Sequence, residues 1–149
     1  MNSISLFELV FSLQLLSSYF LTGLIWIVQR VHYPSFHYIE EKKFTDFQEF
    51  HSKHITRIVM PVMFIELITA FILILAKDLS TFGFLFFVCN FFLVVIIWLS
   101  TFFFSVPCHN KLARIKDSKT VEKLINTNWL RTICWSLKSA MLLYWTLHS

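Results

Sequence analysis

Five of the six histidines, His32, His37, His51, His54 and His109, sit where the chain enters or leaves long apolar stretches. His51 and His54 are three residues apart, so on one helix they share a face and can take one ion between them. Arg57 continues that face. His32 follows the first apolar stretch by one turn, and His109 closes the third in Val106-Pro107-Cys108-His109-Asn110. Imidazoles from separate helix ends suit iron, copper, zinc or haem, and suit acid–base work equally. The expected metal set is therefore His32, His51, His54 and His109, with His32, His109 and Asn110 holding a cofactor and His51, His54, Arg57 and Arg131 acting on substrate. Gln29, His37 and Asn128 complete this shallow polar layer.

The carboxylates of a ferritin-like di-iron centre are missing from the layer. Glu66 lies twelve residues beyond His54, or ~18 Å along a straight helix. A mononuclear metal or a haem thus ranks above di-iron. The plainer reading is that interfacial His and Arg anchor helix ends among lipid headgroups. Cys108, beside His109, is read as a small packing residue.

A second layer lies deeper. Gln14, Glu66, Asn90 and Lys138 each fall roughly eight to ten residues, or ~12–15 Å, from the other end of their apolar stretch. One polar residue per helix at matching depth implies four side chains turned inward. An unpaired charge there would cost at least about 2.5–3.5 kcal/mol, so Glu66 and Lys138 are natural partners. They form either a structural clasp or a proton or substrate site.

The elements that must position these layers are four apolar stretches over about residues 6–28, 58–76, 82–106 and 130–147. The chain is 56% hydrophobic and 15% charged, with 18 Phe, more apolar surface than one soluble core of 149 residues can hide. Each stretch can cross a ~30 Å hydrocarbon core as a helix. The expected fold class is all-α: a four-helix transmembrane bundle, one domain over residues 1–149, with the lipid bilayer as its solvent. Phe44, Phe47, Phe50 and His54 repeat at helical spacing, which predicts an amphipathic interfacial helix from about Glu40 into the second span. Pro34 should break the chain after the first helix, Pro61 should kink the second near its entry, and a helix should start near Ser118.

Charge sets the orientation. Residues 29–57 and 107–129, with Arg131, collect Arg30, Lys42, Lys43, Lys53, Arg57, Lys111, Arg114, Lys116, Lys119 and Lys123, while the opposite side holds Lys77 alone. Both long loops are therefore expected in the cytosol and both termini outside, in the inner (plasma) membrane. The net charge of +4 is explained in this way, without nucleic acid. Glu8, where a secretory signal would carry Lys or Arg, argues against a cleaved leader. Three cysteines without CxxC spacing argue against a disulfide framework or zinc knuckle. No Walker loop, GxSxG, HExxH or dinucleotide fingerprint is present, and two glycines cannot build a phosphate cradle.

Val106-Pro107-Cys108-His109-Asn110-Lys111-Leu112 and Asn128-Trp129-Leu130-Arg131 resemble segments of small four-helix bacterial membrane proteins, distantly similar to the anthrone-oxygenase-like family. Gln29-Arg30-Val31-His32-Tyr33-Pro34, with His51, His54, Arg57, Pro61 and Glu66, resembles the uncharacterised bacterial group in particular. The resemblance implies a four-helix fold. The histidine-rich first loop departs from the anthrone-oxygenase pattern.

The leading expectation is a membrane-embedded oxidoreductase or oxygenase-like protein with a transition metal, a haem or acid–base histidines at its cytosolic helix ends. A lipophilic small molecule would enter sideways, and Arg57 and Arg131 would hold its anionic or enolate oxygen. The alternatives use Glu66 and Lys138: a small proton-coupled transporter, working as a homodimer, or a structural or accessory membrane subunit. The orientation is open to a direct check. Alkaline phosphatase, which needs an oxidising compartment, should be active when fused after residue 148 and inactive when inserted at residue 116. The opposite pattern would invert the topology.

Overall fold

The structure is a computed structural model that describes residues 5–76 and 80–148; Lys77 lies outside the described residues. Every regular element among the described residues is helical. In chain order they are α1 (Leu6–Ile27), a π-helical turn (Val28–His32), α2 (Tyr33–Ser35), a 3₁₀ turn (Phe36–Tyr38), α3 (Glu41–Ile74), α4 (Thr81–Ser100), a second π-helical turn (Thr101–Ser105), α5 (Val106–Leu112) and α6 (Ser118–His148).

Local chemistry fixes the helix starts. Ser5 and Glu8 form a capping box, Glu8 N donating to Ser5 Oγ at 3.2 Å and Ser5 N to Glu8 Oε2 at 2.8 Å. Ser80 Oγ accepts from Gly83 N at 3.1 Å and starts α4. Before α6, Asp117 accepts from Lys111 Nζ, from Thr120 Oγ1 at 2.6 Å and from Lys119 N at 3.2 Å. The Lys111 hydrogen bond, then that of Thr120, holds the Asp117 carboxyl well below the usual range, at about 2. This links α5 to the first turn of α6 across a short connection.

The sequence predicts a break at Pro34, and the structure shows none: the helical run continues to Tyr38. The chain widens instead. A proline ring clashes with the carbonyl four residues back, which is Arg30 for Pro34 and Phe103 for Pro107. Both carbonyls lie inside π-helical turns, where the backbone is loosened to make room. The predicted interfacial helix and second span prove to be one continuous helix, α3, which runs through Pro61.

Three runs are long and apolar enough to cross a membrane: Leu6–Tyr38, Glu41–Ile74 and Thr81–Leu112, of 33, 34 and 32 residues. At ~1.5 Å per residue each is about 50 Å long, more than a hydrocarbon core requires. Their excess length gathers at the end that carries the histidines. The fourth span expected over residues 130–147 is not among them. Arg131 and Lys138 lower the apolarity of α6, and both are buried against the other helices.

In the bundle α1 packs on α3 and α6, and α4 packs on the same two. Apolar clusters close both ends. Phe36, Phe44, Met63, Leu112, Leu124 and Trp135 lie toward the histidine end, with Val10, Leu73, Phe86, Phe87 and Leu142 at the other. Between them the usual order is inverted. Ile68, Phe71, Phe92, Leu99 and Leu137 are exposed, while Gln14, Ser18, Glu66, Asn90 and Lys138 are buried. That inversion suits a protein whose surroundings are less polar than its interior.

The buried polar groups of this layer bond to one another across all four long helices, Asn90 Nδ2 alone of the layer's side-chain atoms having no partner among the described residues. Lys138 Nζ donates to Glu66 Oε1 at 2.9 Å and also to Ser18 Oγ. Ser18 Oγ donates to Glu66 Oε1 at 3.2 Å, and Trp135 Nε1 donates to Glu66 Oε2 at 3.0 Å. One turn away, Thr69 Oγ1 donates to Gln14 Oε1, and Gln14 Nε2 donates to Asn90 Oδ1 at 3.3 Å. Glu66 and Lys138 are both 0% exposed, so each would be an uncompensated charge without the other. Lys138→Met alone should therefore lower stability by about 3–5 kcal/mol, and Glu66→Gln combined with Lys138→Met should recover most of the loss. Dodecyl sulfate unfolding of the purified variants reads both; a double variant no better than the single would show that the charges act independently.

Candidate functional site

The histidine end of the bundle holds a cavity of about 750 Å³ between α1, α2, α3, the second π-helical turn, α5 and α6. Its deep part is apolar, walled by Leu21, Leu24, Ile25, Val28, Met60 and Met63, with Trp135 beside them. Its middle is polar, with Tyr33, Thr101, Ser105, His109 and Arg131. Its rim carries Glu49, Lys53, Arg57 and Asn110, interleaved with the exposed apolar Phe102 and Val106.

A chain of hydrogen bonds runs along the polar wall. Gln48 Nε2 meets His109 Nδ1 at 2.6 Å. His109 Nε2 meets Tyr33 Oη at 3.0 Å. Arg131 Nη2 donates to Tyr33 Oη at 3.4 Å and to Asn128 Oδ1. Asn128 Nδ2 donates to Gln29 Oε1 at 2.7 Å, and Gln29 Nε2 to the Ile125 carbonyl at 3.1 Å. Arg131 Nη1 reaches Thr101 Oγ1 at 3.4 Å.

The two π-helical turns place this wall. One ends just before Tyr33, and the other contains Thr101 and Ser105, four residues before His109. Arg131 and Asn128 sit one turn apart on α6, so the amide fixes the guanidinium.

Two proton arrangements fit the Gln48–His109–Tyr33 chain. If the Gln48 amide N–H₂ donates to Nδ1, His109 carries its proton on Nε2 and donates to Tyr33. If the amide is turned about, Nδ1–H donates to the Gln48 carbonyl and the Tyr33 hydroxyl donates to Nε2. The two differ by one proton moved across His109. The tyrosine oxygen accepts from Arg131 in both.

The structure brings together His32, His51, His109 and Arg131 from the sequence-derived set. His32 Nε2 and His51 Nδ1 are 2.7 Å apart, and the His51 and His109 ring centres are 5.6 Å apart. His54 stays outside. It is exposed, its Nδ1 meets the Phe50 carbonyl at 2.7 Å, and its ring stacks on that of Phe50. Phe44, Gln48 and His51 define the buried stripe of α3, and three further residues carry His54 about 60° past His51 and off that stripe. Arg57 and Asn110 are exposed and reach only the rim. His37 turns to the surface and meets Glu122 at 3.0 Å.

The imidazoles do not fit a metal or haem site as arranged. Among the described residues no three His, Cys, Asp or Glu side chains are grouped to hold an ion. His32 and His51 turn nitrogens on each other at 2.7 Å, closer than the ~3.3 Å between two ligands of a tetrahedral zinc. Of the three rings only His109 lines the cavity, and both its nitrogens are engaged. One partner in each His32–His51 hydrogen bond must accept, so at least one of the two rings is neutral.

Tyr33, Gln48, Ser105 and Trp135 belong to the site and carry no signal in the sequence by type or spacing. For Tyr33 and Ser105 alone a neighbour gives a hint, the proline two residues after each π-helical turn. Within the wall, Asn128→Ala removes an acceptor from Arg131 and a donor from Gln29, and should cost about 1–3 kcal/mol. His54→Ala should stay within about 0.5 kcal/mol in the same dodecyl sulfate titration; equal losses would deny the wall its structural weight. Comparison with known protein families, characterised proteins and solved structures finds no match, and gives the motif resemblance no support.

Proposed function

We propose that this protein is a membrane-embedded enzyme of the oxidoreductase class that takes a proton from a lipophilic substrate at the cytosolic ends of its helices. The observation that carries the reading is the Arg131–Tyr33–His109–Gln48 chain on the wall of a cavity that is otherwise mostly apolar.

Its parts suit that role. Tyr33 faces the cavity, and its oxygen can take a substrate proton as its own passes to His109 Nε2. Gln48 holds the ring through either tautomer. Arg131 holds the oxygen on which charge develops, with Arg57 at the rim adding to the field. The mouth passes exposed Phe102 and Val106, a route for a molecule arriving from lipid.

The same reading makes α6 a fourth span. Its exposed residues include Leu130, Ile133, Leu137, Leu143 and Leu147, while its Arg131 and Lys138 are buried. A helix of that pattern meets hydrocarbon outside and polar partners inside. The basic residues at the histidine end favour its placement in the cytosol, in the inner (plasma) membrane.

Anthrone is a suitable probe, a lipophile with an acidic methylene and a carbonyl. Loss of a methylene proton gives an enolate; dioxygen accepts the electrons, and anthraquinone and water result. Protein in phosphatidylcholine liposomes should accelerate this oxidation over empty liposomes. Tyr33→Phe and His109→Gln should each lower the protein-dependent rate by about 10²–10⁴-fold. A rate equal to that of empty liposomes, or one indifferent to both substitutions, would reject the reading.

A further inference from the structure

Among the described residues two side-chain cations of the Lys and Arg type are buried in this bundle, and their surroundings differ. Lys138 has the Glu66 carboxylate at 2.9 Å. Arg131, 6% exposed, has only neutral acceptors: Asn128 Oδ1, Tyr33 Oη and Thr101 Oγ1. Among the described residues no carboxylate lies within ion-pair distance of it. Its Nε has no hydrogen-bond partner among them, and neither has Ser105 Oγ, 3% exposed. Both residues line the cavity.

A buried guanidinium keeps its charge, and leaving that charge without a counter-ion is costly. Neutral dipoles orient it and leave the positive charge standing. Two donors without partners, Arg131 Nε and Ser105 Oγ, belong to residues that line the same cavity, and an anionic oxygen or a carboxylate is the partner they suit. The remaining titratable and charged groups around this wall are Tyr33 of α2, His109 of α5, His51 of α3 beside both with His32 of the first π-helical turn against it and, at the α3 rim, Glu49, Lys53 and Arg57. Cations outnumber anions on that rim two to one. The rest of the lining includes an apolar group, Leu21, Ile25, Val28, Met60 and Met63, which forms the Leu21–Met63 arm.

We propose that the cavity binds its lipophile in ionised form, as the counter-ion of Arg131. The substrate class is a weak acid with one acidic oxygen function, a phenol, an enol or a carboxylic acid, on an apolar body that fills the Leu21–Met63 arm. The proposal rests on the reading above for the identity of the site and adds the charge state and shape of its occupant. Arg131 holds the ionised oxygen, and Tyr33 with His109 carries away the proton released when that oxygen ionises.

The probe is 4-octyl-2-nitrophenol, whose absorbance separates phenol from phenolate. The full chain is placed in phosphatidylcholine nanodiscs, which carry no anionic lipid. The ionisation midpoint of the bound probe should lie about one pH unit or more below that in empty nanodiscs. The shift should vanish in Arg131→Met and persist in part in Arg131→Lys, with helical circular dichroism confirming that both variants fold. Dodecanoate should displace the probe, while the neutral 4-octyl-2-nitroanisole and the bulkier dodecyl phosphate should not. An unshifted midpoint in the native protein, or displacement by the anisole, overturns anion binding, and stronger displacement by dodecyl phosphate overturns the assigned class. Anthrone oxidation with an unshifted midpoint would remove the anion and leave the reaction. A shifted midpoint without anthrone oxidation would do the reverse.

Discussion

The ion pair between Lys138 and Glu66 is the constraint around which the bundle is arranged. Neither charge can be exposed to hydrocarbon, and neither can be buried alone, so α3 and α6 are held at one relative depth. Ser18 draws in α1, and Gln14 with Thr69 and Asn90 draws in α4 one turn away. Oily surfaces slide past one another with little preference. Polar contacts of fixed geometry do not, and they set the register.

Register at mid-depth decides what meets at the histidine end. Trp135 joins the two levels: its indole donates to Glu66, and its ring walls the cavity next to Met63. Arg131, one turn nearer that end, comes to lie against Tyr33 of α2 and Thr101 of the second π-helical turn. The site is thus a by-product of helix alignment as much as of its own contacts. The two polar levels also differ in kind. The deep one is nearly saturated, while the shallow one leaves donors and acceptors free at Arg131, Ser105, Gln48 and His51. The first suits a lock and the second a place for chemistry.

Much of this is written plainly in the chain. Gln14, Glu66, Asn90 and Lys138 stand out because polar residues are rare in such apolar company, and counting turns puts them at one depth. Their contact follows from physics that acts on every buried charge. The histidine end is only half legible. His32, His51 and His109 meet, but His54 does not, because spacing of three fits two adjacent faces and the buried stripe of α3 follows Phe44, Gln48 and His51. Tyr33, Gln48 and Trp135 are ordinary residues in such a sequence, and only folding gives them partners. Average apolarity leaves α6 out of the three candidate spans for a related reason: it sums exposed apolar residues with buried polar ones.

The two wide turns before Pro34 and Pro107 carry a consequence for how such a site can vary. A π-helical turn holds one residue more than an α-turn, so every side chain after it is rotated by about 100° relative to the shaft before it. The lipid-facing stripes of α1 and α4 and the cavity-facing residues of α2 and α5 are therefore out of phase. Gain or loss of a single residue at either turn would re-aim Tyr33 or His109 while the membrane-embedded shafts kept their packing. The cavity end and the greasy shaft can then change independently, and a bundle with an unaltered core can present a different set of side chains to whatever enters it.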